Sequence, residues 1–327
     1  MVEIVGHRAF AGKYPENTLK AFNEAYKANV PILETDLQMT KDGIVIVNHD
    51  GTTGRMWDND YIIAEQDFNT LSTLKHKILP NDENFLTFKD LINWSLTNEN
   101  CKLMLDIKFD NDKIILNKIY SIMLELKNDI NYWHQRIIFG VWSLDWYQYG
   151  IQTTILKGFK TIVITMSLDV ATKFINYSQE LNDPDYALYG ISLLYVSSWT
   201  KKFRDSMIPL IKKNNIHVFL WTVNKKIDMD YLIGLPIYGI ITDDPIETKQ
   251  FLNEIGVSSS SSDKTALVRK FKVPQVTTRE GIRFYSFCII YDIIDQILHS
   301  DWAHTPIAFG YSISKLTYTV LKAIHFM

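Results

Sequence analysis

PILETDLQM at 31–39, TKDG at 40–43 and IVIVNHD at 44–50 form the stretch whose reading decides the fold. Two apolar runs flank a Thr-Lys-Asp-Gly turn, and Asp-Gly between such runs is a strong hairpin signal. With Lys41 and Asp42 as the loop, Thr40 faces Gly43, which sets Glu34 opposite His49. Side chains alternate along a strand, so Glu34 and Asp36 share a face that His49 joins. His7 ends an earlier run, EIVGH at 3–7. Ionisable groups at the ends of apolar runs point to acid/base work beside a hard metal ion. An edge hairpin with ordinary polar residues on its wet side accounts for the same spacing.

Further apolar runs lie at 3–6, 32–38, 103–108, 137–141, 161–165, 190–195, 218–223 and 239–242, with 44–49 as the hairpin partner. Helical stretches fall at 17–28, 87–97, 112–127, 144–156, 168–180, 201–213 and 246–254. Eight strands joined by helical crossovers predict an α/β chain folded as a (β/α)8 TIM barrel, with its chemistry at the C-terminal ends of the strands. The run LMLDIK at 103–108 ends with Asp106 and Lys108 on one face. Asp106 offers an oxygen ligand and Lys108 a point charge for phosphate; a strand-end ion pair is the plainer account of that pair alone. The stretch 51–85, with Trp57, Tyr61 and Phe68, breaks the alternation and reads as an excursion over a barrel edge.

Taken in order, GHRAF at 6–10, PENT at 15–18, ETD at 34–36, DG at 42–43, HD at 49–50, DIK at 106–108, WTVN at 221–224 and TD at 242–243 resemble the motif series of the glycerophosphodiester phosphodiesterase family, over roughly residues 1–255. Two positions depart from that pattern: Ala9 stands where the family has glycine, and Asp106 where it has glutamate. Within the family the chain resembles the fungal branch of phospholipases C acting on phosphatidylglycerol. The resemblance implies the PLC-like phosphodiesterase type of TIM barrel and catalytic His7 and His49. It also implies metal ligands Glu34, Asp36 and Asp106 for calcium or magnesium, and phosphate contacts Arg8 and Lys108. Glu16 and Asn17 join the substrate-binding set by bracing the His7 loop, and Trp221 by walling the glycerol. The implied reaction is hydrolysis of phosphatidylglycerol to diacylglycerol and glycerol phosphate; from the substrate's own chemistry, the head-group hydroxyl next to the phosphoester can act as the nucleophile, leaving a cyclic glycerol phosphate that water opens. The alternatives are soluble glycerophosphodiesters or lysophospholipids as substrate and, furthest off, an inactive lipid-binding barrel.

The chain has 327 residues, 46% of them apolar, enough for one large domain and an appendage. Two cysteines give neither a disulfide framework nor a zinc pattern. Net charge is −3, with no basic footprint for nucleic acid. The N-terminus runs straight into a strand, so no cleaved secretory signal is expected. Residues 1–255 are read as the barrel domain and 256–283 as a Ser-rich, then basic, linker. Residues 284–327 form a hydrophobic tail with Ile289, Ile290, Ile293, Ile294, Ile297 and Leu298 on a helical stripe. A basic stretch before apolar segments suits monotopic attachment to a membrane surface. Lys315 argues against a clean span, and a helical pair packed back on the barrel is the alternative. The expected location is intracellular and membrane-associated, at a mitochondrion, lipid droplet or endoplasmic reticulum surface.

Overall fold

The computed structural model describes residues 2–79, 84–257 and 273–299, with the backbone of 306–308 and 311–312. Most of the Ser-rich and basic linker and nearly all of the tail beyond 299 lie outside these residues. Nine strands form one sheet: β1 (Glu3–Gly6), β2 (Ile32–Met39), β3 (Val45–Val47), β4 (Lys102–Ile107), β5 (Ile137–Val141), β6 (Lys160–Thr165), β7 (Leu188–Leu194), β8 (His217–Trp221) and β9 (Gly239–Thr242). Eight are parallel and close into a barrel, because β1 pairs with both β2 and β9. The predicted (β/α)8 barrel is therefore the fold. Between most successive strands the chain returns through helices such as Leu19–Lys27 and Leu168–Leu181. Side-chain caps start several of these: Thr18 accepts from Ala21 N, and Ser167 from Asp169 N and Val170 N. Two short helices, Ile130–Arg136 and Lys226–Leu232, escaped the sequence reading because seven residues hold too few turns for a clear period.

Strand alternation sorts the barrel into two layers. Val5, Ile32, Met104, Ile138, Ile162, Ile164, Phe219 and Ile241 fill the barrel interior. Leu33, Leu37, Leu103, Leu105 and Phe139 belong to the larger core beneath the helices. On β2 the inward file is therefore Ile32, Glu34 and Asp36; on β4 it is Met104 and Asp106, with Lys108 just past the strand. An apolar plug at one end of the barrel thus gives way to charge at the other.

The 31–50 hairpin forms with a different register. The loop has three residues: Thr40 pairs with Ile44, and Gly43 sits at φ 80°, the left-handed region glycine tolerates. Leu37 therefore faces Val47 and Met39 faces Val45, one residue away from the expected pairing. Glu34 is not opposite His49. Such a slip would normally turn a side chain to the other face. The ladder stops at Val47, however, and the chain turns through 48–51, with Asn48 Nδ2 donating to Asp50 O at 2.7 Å. His49 enters the barrel mouth from that turn.

Part of the 51–85 excursion has its own small core, with Trp57 stacked on Phe85 at 3.9 Å and packed with Ile46, Ile63, Leu71 and Leu74. The helix Arg279–His299 begins earlier than the sequence stripe suggested and docks on the barrel. Phe284 stacks on Trp199 at 5.0 Å, Tyr291 Oη donates to Met166 O, and Arg283 makes two hydrogen bonds to buried Asp228. Ile289, Ile290 and Ile293 are on the exposed side. No helix among the described residues is long and apolar enough to cross a membrane.

Phe284→Ala removes a ring whose loss from a core costs about 3–5 kcal/mol. Arg279–His299 lies beyond the last barrel strand and forms no part of the sheet, so the cost is expected to be capped at its undocking. The variant is expected to be cleaved within 273–299 well before the parent under limited proteolysis, with the barrel's Tm changed by less than about 3 °C. Equal protection of the two proteins would contradict the docking.

Candidate active site

Strand ends β1, β2, β4, β5, β8 and β9 converge on a cavity of about 280 Å³, lined among others by His7, Arg8, Glu34, Asp36, His49, Asp106, Lys108, Trp142 and Trp221. Eight of the ten residues expected from sequence line this one cavity. Glu16 and Asn17 do not; they stand behind it. Glu16 receives two hydrogen bonds from Arg8 Nη1, at 2.9 and 3.0 Å. Asn17 Nδ2 donates to Asp36 Oδ2 at 2.8 Å, and its own oxygen accepts from Thr35 Oγ1. Their part is to hold Arg8 and Asp36 in place.

The turn after β1 carries His7 and Arg8. Arg8 and Ala9 adopt φ 47° and 69°, a conformation that costs a residue with a Cβ roughly 1–2 kcal/mol. It aims Arg8 N at Glu34 Oε2, at 2.7 Å, and Ala9 N at Glu34 O, at 2.9 Å. Gly6 tolerates no side chain there: a Cβ would lie 2.0 Å from Ala9 O.

Glu34, Asp36 and Asp106 are 5%, 1% and 7% exposed, and one oxygen from each falls within 4.8 Å of the others. Lys108 Nζ sits between two of them, 2.7 Å from Asp36 Oδ1 and 2.6 Å from Asp106 Oδ2. Trp142 Nε1 donates to Asp106 Oδ1 at 2.7 Å. Burial and its two carboxylate neighbours hold the Glu34 carboxyl well above its ordinary value. Burial pushes Asp36 the same way, but the positive charges of Lys108 and Arg8 help outweigh it and hold Asp36 well below its ordinary value. Three acidic groups with oxygen donors alone, crowded so that Glu34 is held toward its protonated form, fit a hard divalent cation such as calcium or magnesium.

His49 is pushed down to about 4 by burial, with the positive charge of Lys108 next, so it is a neutral imidazole near pH 7. Its Nδ1 lies 3.2 Å from Asp50 Oδ1. Asp50 Oδ2 in turn accepts from Arg55 Nε at 2.6 Å, and Arg55 also forks onto Glu16. A residue of the excursion thereby links the supports of Arg8 and His49. His7 Nδ1 lies 2.6 Å from Asp243 Oδ1. Sequence reasoning gave no role to Trp142, Asp50, Arg55, Asn224 or Asp243. Asn224 and Asp243 were visible as motifs, Asp50 adjoined His49, and Arg55 lay in the GRMWD stretch at 54–58 that the fungal branch shares; Trp142 carried no distinguishing signal.

The sequence model for the glycerophosphoryl diester phosphodiesterase family matches residues 7–247. A glycerophosphodiester phosphodiesterase of Caldanaerobacter subterraneus subsp. tengcongensis is 24% identical over 260 residues, 74% of this chain and 94% of that protein. A lysophospholipase D of Homo sapiens is 21% identical over 284 residues, 80% of this chain and 88% of its own length. The crystal structure of a glycerophosphodiester phosphodiesterase from Thermotoga maritima shares the fold with a TM-score of 0.59 at 23% identity, covering 76% of this chain and 98% of that one. An Oleispira antarctica phosphodiesterase, solved with sn-glycerol-3-phosphate as product, has a TM-score of 0.63 at 16% identity and covers 77% and 96%.

Adding calcium or magnesium is expected to raise Tm, with about 2.7 kcal/mol gained at a hundred times Kd, and Asp36→Asn is expected to abolish the gain. Glu34 holds a proton at pH values above its usual 4.5, and the cation must displace it. Affinity measured by calorimetry should therefore strengthen as pH rises through that window. A flat pH dependence would show that Glu34 is not a ligand.

Proposed function

The chain belongs to the glycerophosphoryl diester phosphodiesterase family and is a phosphoric diester hydrolase; from that premise we propose that it cleaves glycerophosphodiesters, soluble or lysophospholipid, through paired action of His7 and His49. The observation that carries this reading is the convergence of two imidazoles, three carboxylates, Arg8 and Lys108 on one cavity. The glycerophosphate product of the Oleispira relative and the lysophospholipase D activity of the human one point the same way. At about 280 Å³ the cavity suits a glycerophosphoryl group, and a bulkier alcohol must project through the mouth.

His49, neutral near pH 7, accepts the proton of the attacking hydroxyl. Acting as the acid, with Nε2 carrying a hydrogen, His7 gives that proton to the leaving oxygen. Arg8 and Lys108 meet the phosphoryl oxygens as charge builds on them. Glu34, Asp36 and Asp106 would hold a divalent cation, which when bound would supply Lewis-acid polarisation of the phosphoryl group. The attacking group is water or the vicinal hydroxyl of the substrate glycerol. Trp221 and Trp142, 6.2 Å apart edge to face, offer the glycerol an apolar wall.

Phosphatidylglycerol, cleaved in the manner of a phospholipase C, is the second reading. It is favoured by the isoleucine ridge of Arg279–His299, where Ile282, Ile289, Ile290 and Ile293 are each about half exposed on a helix anchored to the segments that follow β6, β7 and β8. A ridge of that kind suits contact with lipid, and with it a membrane-associated location.

Purified protein is tested on glycerophosphocholine, lysophosphatidylcholine micelles and phosphatidylglycerol liposomes, with chelator and His49→Ala as controls. Turnover of the first two, lost at least about 100-fold in both controls, supports the leading reading. Diacylglycerol from phosphatidylglycerol alone transfers the assignment to the lipid. An analogue lacking the vicinal hydroxyl should resist cleavage if the substrate supplies its own nucleophile.

A further inference from the structure

The end of β9 brings Asp243 against His7, and the end of β8 leads to Asn224. The backbone N–H of His7 donates to Thr242 O at 2.9 Å, which ties the two strand ends together. The His7 ring then donates from Nδ1 to Asp243 Oδ1 at 2.6 Å. Asn224 braces the other carboxylate oxygen: its Nδ2 donates to Asp243 Oδ2 at 2.5 Å. The amide can point only one way, because its Oδ1 accepts from Asp243 N at 2.9 Å and from Thr242 Oγ1 at 3.2 Å.

These bonds use both oxygens of Asp243 as acceptors, and a carboxylate can only accept. The hydrogen of a neutral His7 ring is therefore on Nδ1. Nε2 is left as the basic nitrogen of a ring that lines the cavity. Burial would raise the Asp243 carboxyl, but the bonds from His7 and Asn224 hold it below its usual value, so it stays an acceptor. The support of His49 differs: Asp50 stands 3.2 Å from that ring and is also bound by Arg55.

We propose that Asp243, oriented by Asn224, is a positioning residue that fixes the plane and tautomer of His7 so that Nε2 exchanges the proton with the substrate oxygen. The proposal rests on the diesterase reading for its kinetic consequence but not for its structural one. A carboxylate that orients an imidazole in this way contributes by keeping the reactive nitrogen aimed. Asp243 itself touches neither substrate nor the reacting atoms.

Two measurements on the full chain test it. The first is ¹⁵N NMR of histidine-labelled protein, with His7 assigned through His7→Gln, at a pH where the ring is neutral. The parent should carry the hydrogen on Nδ1, and Asp243→Ala should shift the population toward the Nε2–H form. A parent with its hydrogen on Nε2 overturns the proposal whatever the substrate is.

The second is kinetics on glycerophosphocholine and bis(p-nitrophenyl) phosphate. Asp243→Asn should lower kcat by about 100-fold with KM within about threefold and Tm nearly unchanged. Combining Asp243→Asn with Asn224→Asp lets every hydrogen bond of the pair re-form with the amide and carboxylate exchanged. That double variant should regain about tenfold or more of the lost kcat. Asn224→Ala, which leaves the partner of His7 in place, should lower kcat by less than Asp243→Asn does. A kcat for Asp243→Asn within threefold of the parent, or a loss that the double variant does not repair, overturns the proposal. If the parent turns over neither diester, the diesterase reading fails and the NMR result alone decides the positioning role.

Discussion

Three carboxylates buried within 4.8 Å of one another cannot all carry charge unless cations stand among them, and the rest of the site is arranged around that constraint. Lys108 occupies one side of the cluster and Arg8 another. Asn17, Trp142 and the Arg8 backbone each donate one hydrogen bond to a different carboxylate. Beneath them Ile32 and Met104 close off the barrel and keep the dielectric low. Low dielectric strengthens every attraction in the cluster and raises the penalty for a missing partner, about 3–5 kcal/mol when one member of a buried ion pair is removed. Burial, with the charge of Lys108 next, keeps His49 neutral near pH 7 against the pull of Asp36.

Delivering donors to such a cluster requires unusual backbone. Arg8, Ala9 and Asn17 all lie in the left-handed region, and none is glycine. At Ala9, where the family pattern has glycine, relief of left-handed strain would be worth roughly 1–2 kcal/mol. Its methyl group is fully buried, and losing one buried methylene-sized group costs about 0.8 kcal/mol. The buried methyl offsets part of that strain, which helps alanine to be tolerated in a turn the family builds on glycine. The shorter Asp106 is also accommodated: Trp142 and Lys108 hold its two oxygens, and it still reaches the other carboxylates.

The excursion and the docked helix extend this arrangement outward. Arg55 forks onto Glu16 and binds Asp50, so a loop outside the barrel helps hold both Arg8 and His49. On the far side, Phe284 and Tyr291, seven residues apart on one helical stripe, pin Arg279–His299 against the turns after β6 and β7. The stripe picked out in the sequence, from Ile289 to Leu298, was legible as helical. Which side faces the barrel was not, because isoleucines suit either a core or a lipid surface.

Period-two alternation is a property of local backbone geometry, and so Glu34 with Asp36, and Asp106 with Lys108, could be placed on common faces from the sequence alone. The alternation of runs and helices likewise determined the barrel, and the order of motifs determined the family. His49 joined its partners by another route than the one read from the turn. A three-residue loop and an early end to the ladder are decided by one glycine at positive φ and by Asn48, not by the apolar pattern. The bond between His7 and Asp243 spans 236 residues and exists only because β1 and β9 close the barrel. Trp142 and Asn224 reach their partners across neighbouring strand ends, and Arg55 from the excursion, contacts that also exist only in the folded barrel. Local steric rules act within a few residues and are written in the sequence; contacts between the first strand and the last depend on how every strand between them is staggered, which only the folded barrel decides.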